Sequence, residues 1–361
     1  MKNKFFAFGI AFIVLFIGFI IVILLYSNGS NEENSRLKIG LVLNGTHDDG
    51  GLSQVHYDPL YDIAKKRDLV LEYYENVPYD IRAKDVLEEL VLDGCDFIVV
   101  NSAYYEDYAR DVSLKYPDVC FVCFYGKSYR NNFMTFSGRL YQGQYLTGIA
   151  AGLQTDSGKI GYYSPNPDRM LICGVNAFTL GVKRANPFAD VILKYRNGRK
   201  DSDNIKELKD EYDIDILACD GYSDSPLETA DELGIGTIGI LRDNKALYPD
   251  TYLTAAVWDF HAFYDEQIEN CENGEFRGAN INLGMDDGAV DIAPLSKNVK
   301  EGIAEKISSE RTLLKERKTD VFYGPVYDSN GTERVFSGES MPDREILYNL
   351  NWYVSGVKID E

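Results

Sequence analysis

From residue 37 onward, short apolar runs alternate with longer amphipathic stretches. LKIGLVLNG (37–45) is an apolar run closed by a glycine, and Leu52 to Lys66 repeats its apolar positions at helical spacing. LVLEYYENV (69–77) predicts a second strand, and AKDVLEELVLDG (83–94) predicts a helix stopped by Gly94. The alternation continues through DFIVVNS (96–102), CFVCFYG (120–126), KIGYYS (159–164), VILKYR (191–196), DILACDG (215–221), GTIGILRD (236–243) and TYLTAAVW (251–258). Several of these runs are apolar throughout, as strands covered on both faces tend to be. Strands spaced by helices predict an α/β chain with parallel sheets.

The N-terminus follows a different pattern. Lys2 and Lys4 precede an uncharged apolar run, Phe5 to Tyr26, which is long enough as a helix to cross a bilayer. It is longer than the apolar region of a cleaved signal, and SNGSNEENS after it offers no small-residue cleavage site. The reading is a signal anchor with a polar tether, residues 1–35. The two lysines stay in the cytoplasm and the bulk of the chain lies on the extracytoplasmic side of the cell membrane.

Composition changes the picture in two ways. At 361 residues the chain exceeds what one core supports, so two lobes are expected. With 57 acidic against 37 basic residues, a net charge of −20, nucleic acid is excluded as a partner, because that binding needs clustered Lys and Arg. Cys120 and Cys123 stand in a strand-like run with no second pair and no histidine nearby, so they read as small buried residues rather than a metal site.

Catalytic motifs are decoys. Gly234 to Gly239 spells G-x-G-x-x-G, but it follows a helix and enters a strand, the reverse of what a dinucleotide fingerprint needs. No G-x-S-x-G and no HExxH is present, so no catalytic residue, metal or cofactor is assigned. What stands out is a set of aromatic and acidic residues after predicted strands, where open parallel sheets bind ligands. Tyr104, Tyr105, Tyr222 and Trp258 offer flat faces, and Asp49, Asp224, Asp243 and Asp259 can accept protons from ring N–H groups or hydroxyls. That chemistry suits a flat, hydrogen-bonding solute.

Six stretches in order, DDGGLSQVHYDPL (48–60), GRLYQGQYLTGIAAG (138–152), MLICGVNAFTLGVKRANP (170–187), YLTAAVWDFHAFY (252–264), GMDDGAVDIAPLS (284–296) and LYNLNWYVSGVKID (347–360), make the chain resemble the BMP (basic membrane protein) family. These are solute-binding proteins of ABC importers for nucleosides and nucleobases. The resemblance implies a two-lobe periplasmic-binding-protein-like fold of type I, an ABC permease as partner, and a purine-like ligand in the cleft. It places a base-stacking aromatic at Phe178 and a first-loop aromatic position at Leu52, which cannot stack. The family's ribose-gripping acid falls on Leu241, so a free base is expected over a nucleoside. A subgroup pattern adds Asp49, Gln54, His56, Asp224, Trp258 and Asp259. Three crossings between lobes are expected, near Asp156–Lys159, Pro249–Thr254 and Gly274–Ala279. The lobes would then be 38–155 plus 255–275, and 156–254 plus 276–361. The missing lipid-bearing cysteine leaves an alternative open, a membrane-anchored extracellular sensor that keeps the fold without transport.

Overall fold

A computed structural model describes residues 36–165, 169–221 and 223–360. The expected anchor and tether at 1–35, and Tyr222, lie outside them. In chain order the first part runs β1 (Lys38–Val42), α1 (Leu52–Arg67), β2 (Val70–Tyr74), α2 (Arg82–Leu92), β3 (Phe97–Val100), α3 (Glu106–Lys115), β4 (Cys120–Phe124), β5 (Phe133–Gly138) and α4 (Tyr141–Gln154). Then come β6 (Lys159–Ser164), α5 (Arg169–Ala185), β7 (Asp190–Tyr195), α6 (Asp201–Tyr212), β8 (Ile216–Cys219), α7 (Ser225–Glu232), β9 (Gly236–Ile240) and β10 (Tyr252–Trp258). The remainder comprises α8 (His261–Glu272), β11 (Asn280–Leu283), β12 (Val290–Ile292), α9 (Ile303–Lys315), β13 (Val326–Tyr327), β14 (Glu333–Val335), α10 (Asp343–Tyr348) and β15 (Val357–Asp360).

Two sheets organise these elements. The first has six strands in the order β11-β5-β4-β3-β1-β2, and the second has seven in the order β12-β10-β9-β8-β6-β7-β15. Every pairing within them is parallel except β12 on β10. The inner strands β3 and β4 are buried at every residue, which is why their sequences carry no polar alternation; β5, also buried throughout, turns Thr135 and Ser137 to one face. At the edge, β2 is half exposed and admits Glu72.

Helices cover both sheets by their apolar stripes. In α1 the buried positions Ser53, His56, Leu60, Ile63 and Ala64 recur every three or four residues, and Lys65, Lys66 and Arg67 sit at its C-terminal dipole end. The pair α4 and α5 is closer than ordinary helix packing. A Cβ on Gly148 would lie 2.0 Å from the Phe178 carbonyl oxygen, and one on Gly181 would lie 2.0 Å from that of Tyr145. Only glycine lets these backbones touch, so the motifs at 138–152 and 170–187 are in large part a helix–helix seam.

The crossings differ from the sequence expectation. The chain leaves the first sheet after Gly138, because α4, with Tyr145, Leu146 and Ile149, is buried in the core of the second lobe rather than the first. The second crossing follows Trp258, since β10 pairs with β9 from Tyr252 and with β12 as far as Trp258. The third falls between Leu283 and Val290, because β11 pairs with β5 in the first sheet. Residues 255–258 therefore belong to the second lobe and 280–283 to the first. The crossing segments are laced together: the Arg139 amide donates to the Leu283 carbonyl at 2.8 Å, and the Asp259 amide donates to that of Ala289 at 3.0 Å. The Met285 amide donates to Gln142 Oε1 at 2.8 Å.

One cysteine departs from its sequence reading. Cys120 at the start of β4 forms a disulfide with Cys271 in α8, clamping that helix to the first sheet. Cys123 stays buried, and burial pushes its thiol well above the usual range.

Candidate functional site

Strand ends of both sheets surround a cavity of about 360 Å³. Gly138 ends β5 and Trp258 ends β10. Tyr125 follows β4, Asp220 follows β8, and Leu241 follows β9. Tyr125 and Leu241 hold left-handed backbone, with φ of 57° and 66°. Bulky residues rarely accept that conformation, and here it turns the chain at two strand ends into the cavity wall. The strand-end rule thus locates the cleft.

Most of the wall comes from the second lobe. Two of its polar groups, Gln144 and Asp220, are joined through Tyr162, which is not on the wall: Gln144 Nε2 donates to Tyr162 Oη at 3.2 Å and Tyr162 Oη donates to Asp220 Oδ2 at 3.1 Å. Asp220 is 5 % exposed. Arg196, also on the wall, is occupied by Asp201, with Nε and Nη2 donating to its two carboxylate oxygens at 2.9 and 2.7 Å.

Trp258 separates this cavity from an outer groove. Its ring stacks on Phe260 at 5.7 Å between centroids and meets Phe124 edge-on at 5.2 Å. It also lies against the Gly138 backbone, where an added Cβ would fall 2.2 Å from Nε1. A residue from the second sheet is therefore seated on the first, and this contact closes one side of the cleft. A second closing contact lies at the mouth. Arg242 pairs with Asp224 and presses on Gly50, where an added Cβ would fall 1.9 Å from Nη1.

The structure distributes the expected site residues unevenly. Trp258 lines the main cavity. Asp224 lines a small recess beside it, and Gln54 and Asp259 line the outer groove. Asp49 is turned back on its own helix, accepting from the amides of Gly51, Ser53 and Gln54 at 2.8, 3.1 and 3.1 Å. It serves as the cap of α1. Leu52 opens that helix and is absent from the walls of the cavity and of the groove. Tyr104 is 72 % exposed beside Tyr79, and Asp243 accepts from the Lys245 amide at 3.0 Å on the surface.

Two candidates are core residues. Phe178 is 1 % exposed, edge-on to Tyr162, on the face of α5 that meets α4. His56 is fully buried, stacked on Phe260 at 5.4 Å with Nδ1 2.6 Å from Tyr264 Oη. Burial pushes its pKa down to about 3, so it is a neutral packing residue at physiological pH. Sequence reasoning missed Gln144 and Asp220, which line the cavity. The signal for Asp220 was its place as the first residue after an apolar strand run.

Residues 36–320 match the family model described as Bmp, ABC transporter substrate-binding protein PnrA-like. A purine-binding protein of Brucella abortus is 27% identical over 335 residues, covering 91% of this chain and 95% of that one. Among solved structures, an ABC transporter solute-binding protein from Conexibacter woesei superposes with a TM-score of 0.70 at 18% identity, covering 79% of this chain and 98% of that one. A transcriptional activator of the comK gene from Bacillus halodurans superposes with a TM-score of 0.69 at 24% identity, covering 78% and 99%. Both share the two-lobe α/β fold with parallel sheets.

Proposed function

Since the chain belongs to the PnrA-like family of ABC transporter substrate-binding proteins, we propose that it captures a flat, purine-like heterocycle between its lobes and delivers it to a permease. The observation that carries this reading is the cavity itself. Its volume of about 360 Å³ sits within the range of small-molecule sites, roughly 300–1,000 Å³. Its wall combines the rings of Tyr125, Tyr141 and Trp258 with one buried carboxylate, Asp220. The purine-binding relative supports the ligand class.

The chain acts outside the cytoplasm in this reading. Support comes from the Cys120–Cys271 disulfide, because such bonds persist in oxidising compartments. The apolar run Phe5–Tyr26 would hold the receptor at the membrane beside its permease.

Ligand contacting both lobes favours the closed form by its differential affinity. Thermal melts of the detergent-solubilised chain with purines, pyrimidines and nucleosides test the assignment. A purine at 100 times its dissociation constant should stabilise the fold by about 2.7 kcal/mol. A melting temperature unmoved by any of them rejects the ligand class.

A further inference from the structure

Gln144 lies on the cavity wall, 7 % exposed, with its amide laid on the backbone of α5. A Cβ added to Gly174 of that helix would fall 2.3 Å from Nε2 and 2.9 Å from Oε1. Tyr162 fixes which way round the amide stands. The carboxylate of Asp220 accepts, so the phenol proton goes to Asp220 Oδ2 and the phenol oxygen takes a proton from Gln144 Nε2. One amide proton is spent in this way. The second proton on Nε2 and the lone pairs of Oε1 meet no partner among the described residues. A buried amide left half satisfied by its own lobe is a group that a guest can complete.

We infer that Gln144 sets the ligand specificity of the cleft by selecting flat heterocycles that carry an N–H donor beside an acceptor on one edge, as a lactam or an aminopyrimidine ring does. This deepens the purine-binding reading and rests on it. An amide is complementary to such an edge: its oxygen meets the donor and its remaining proton meets the acceptor, as when a glutamine reads adenine. An edge with acceptors alone makes one of the two bonds. It also sets a lone pair against Oε1 in a desolvated site, which costs binding.

Calorimetric titration of the full chain with 9-methyladenine, 9-methylhypoxanthine, 9-methylpurine and 6-methoxy-9-methylpurine tests the inference. The first two carry a donor beside an acceptor on the six-membered edge. The last two lack any N–H and bracket the others in size, so bulk and hydrogen bonding separate. The adenine and hypoxanthine ligands should each bind about tenfold tighter than either of the last two. Gln144→Met, unbranched and of similar length, should bring that ratio to within about twofold. A packing role alone would weaken all four ligands equally and leave the ratio where it was. That result, or equal affinities in the wild-type protein, overturns the role of Gln144 while leaving purine binding intact. Should Gln144→Met fail to fold, Tyr162→Phe makes the same comparison from off the wall. The amide then loses its anchor and the ratio should fall again, whereas an unchanged ratio overturns the inference. No binding of any purine sinks both readings together.

Discussion

The two lobes share a sheet architecture but are held together by different means. The first joins α8 to its sheet through the Cys120–Cys271 disulfide and buries a neutral histidine, His56, among Phe124, Phe260 and Tyr264. Among its described residues the second shows neither feature, and instead presses α4 onto α5 through Gly148 and Gly181. The first lobe thus carries a reducible bond and a buried titratable ring, where the second carries a glycine seam. The contrast matters because the second lobe supplies most of the cavity wall, while the first supplies mainly Tyr125 and Gly138 as its cover.

The strongest test of that contrast is reduction. The disulfide joins residues 151 apart in sequence, so Cys271→Ser should lower the stability of the first lobe by about 2–5 kcal/mol in urea unfolding. If wild-type protein in reductant unfolds at the same urea concentration as oxidised protein, the clamp contributes nothing. Next, Gly148→Ala should cost about 3 kcal/mol, since its methyl group meets backbone rather than a side chain that could swing away. Near-ultraviolet circular dichroism should then show lost packing of the second lobe; an unchanged melt would mean the helix seam can relax.

Acid acts on the first lobe. Unfolded His56 takes up a proton below about pH 6.5, whereas the folded residue resists protonation until about pH 3. The stability linked to it is fully present above 6.5 and is lost as pH falls between these values. By pH 5 the loss is about 2 kcal/mol. His56→Gln should flatten that part of the stability profile between pH 7 and 5, and an equally steep profile in the variant assigns the acid sensitivity elsewhere. The smallest effect concerns the cover. Gly138→Ala should displace Trp258 and weaken ligand binding by about 1 kcal/mol while the urea midpoint barely moves. Unaltered tryptophan fluorescence and affinity would separate Trp258 from closure.

Much of the fold was legible because buried parallel strands write themselves as apolar runs, and the runs at 96–102, 120–126, 159–164 and 215–221 each contain a strand. The lobe boundaries were less so. Turn chemistry at TDSG marks the end of α4, but only tertiary packing decides that α4 belongs to the second lobe. Strand ends of both sheets line the cavity, Trp258 among them. Which neighbour faces inward depends on backbone twist: in the segment after β8 it is Asp220, four residues before the expected Asp224. Phe178 failed for a related reason. Helical spacing reveals an apolar stripe, yet not whether a ligand or another helix covers it.

The three laced crossings carry a mechanical consequence. Parallel straps stitched edge to edge bend readily across their width but resist twisting and sliding, as the webbing of a strap hinge does. Three short segments held edge to edge form a strap-like joint between the lobes, the kind of connection about which hinged domains close. On such a joint, the seats of Trp258 on Gly138 and of Arg242 on Gly50 are the contacts that any opening of the cavity must break.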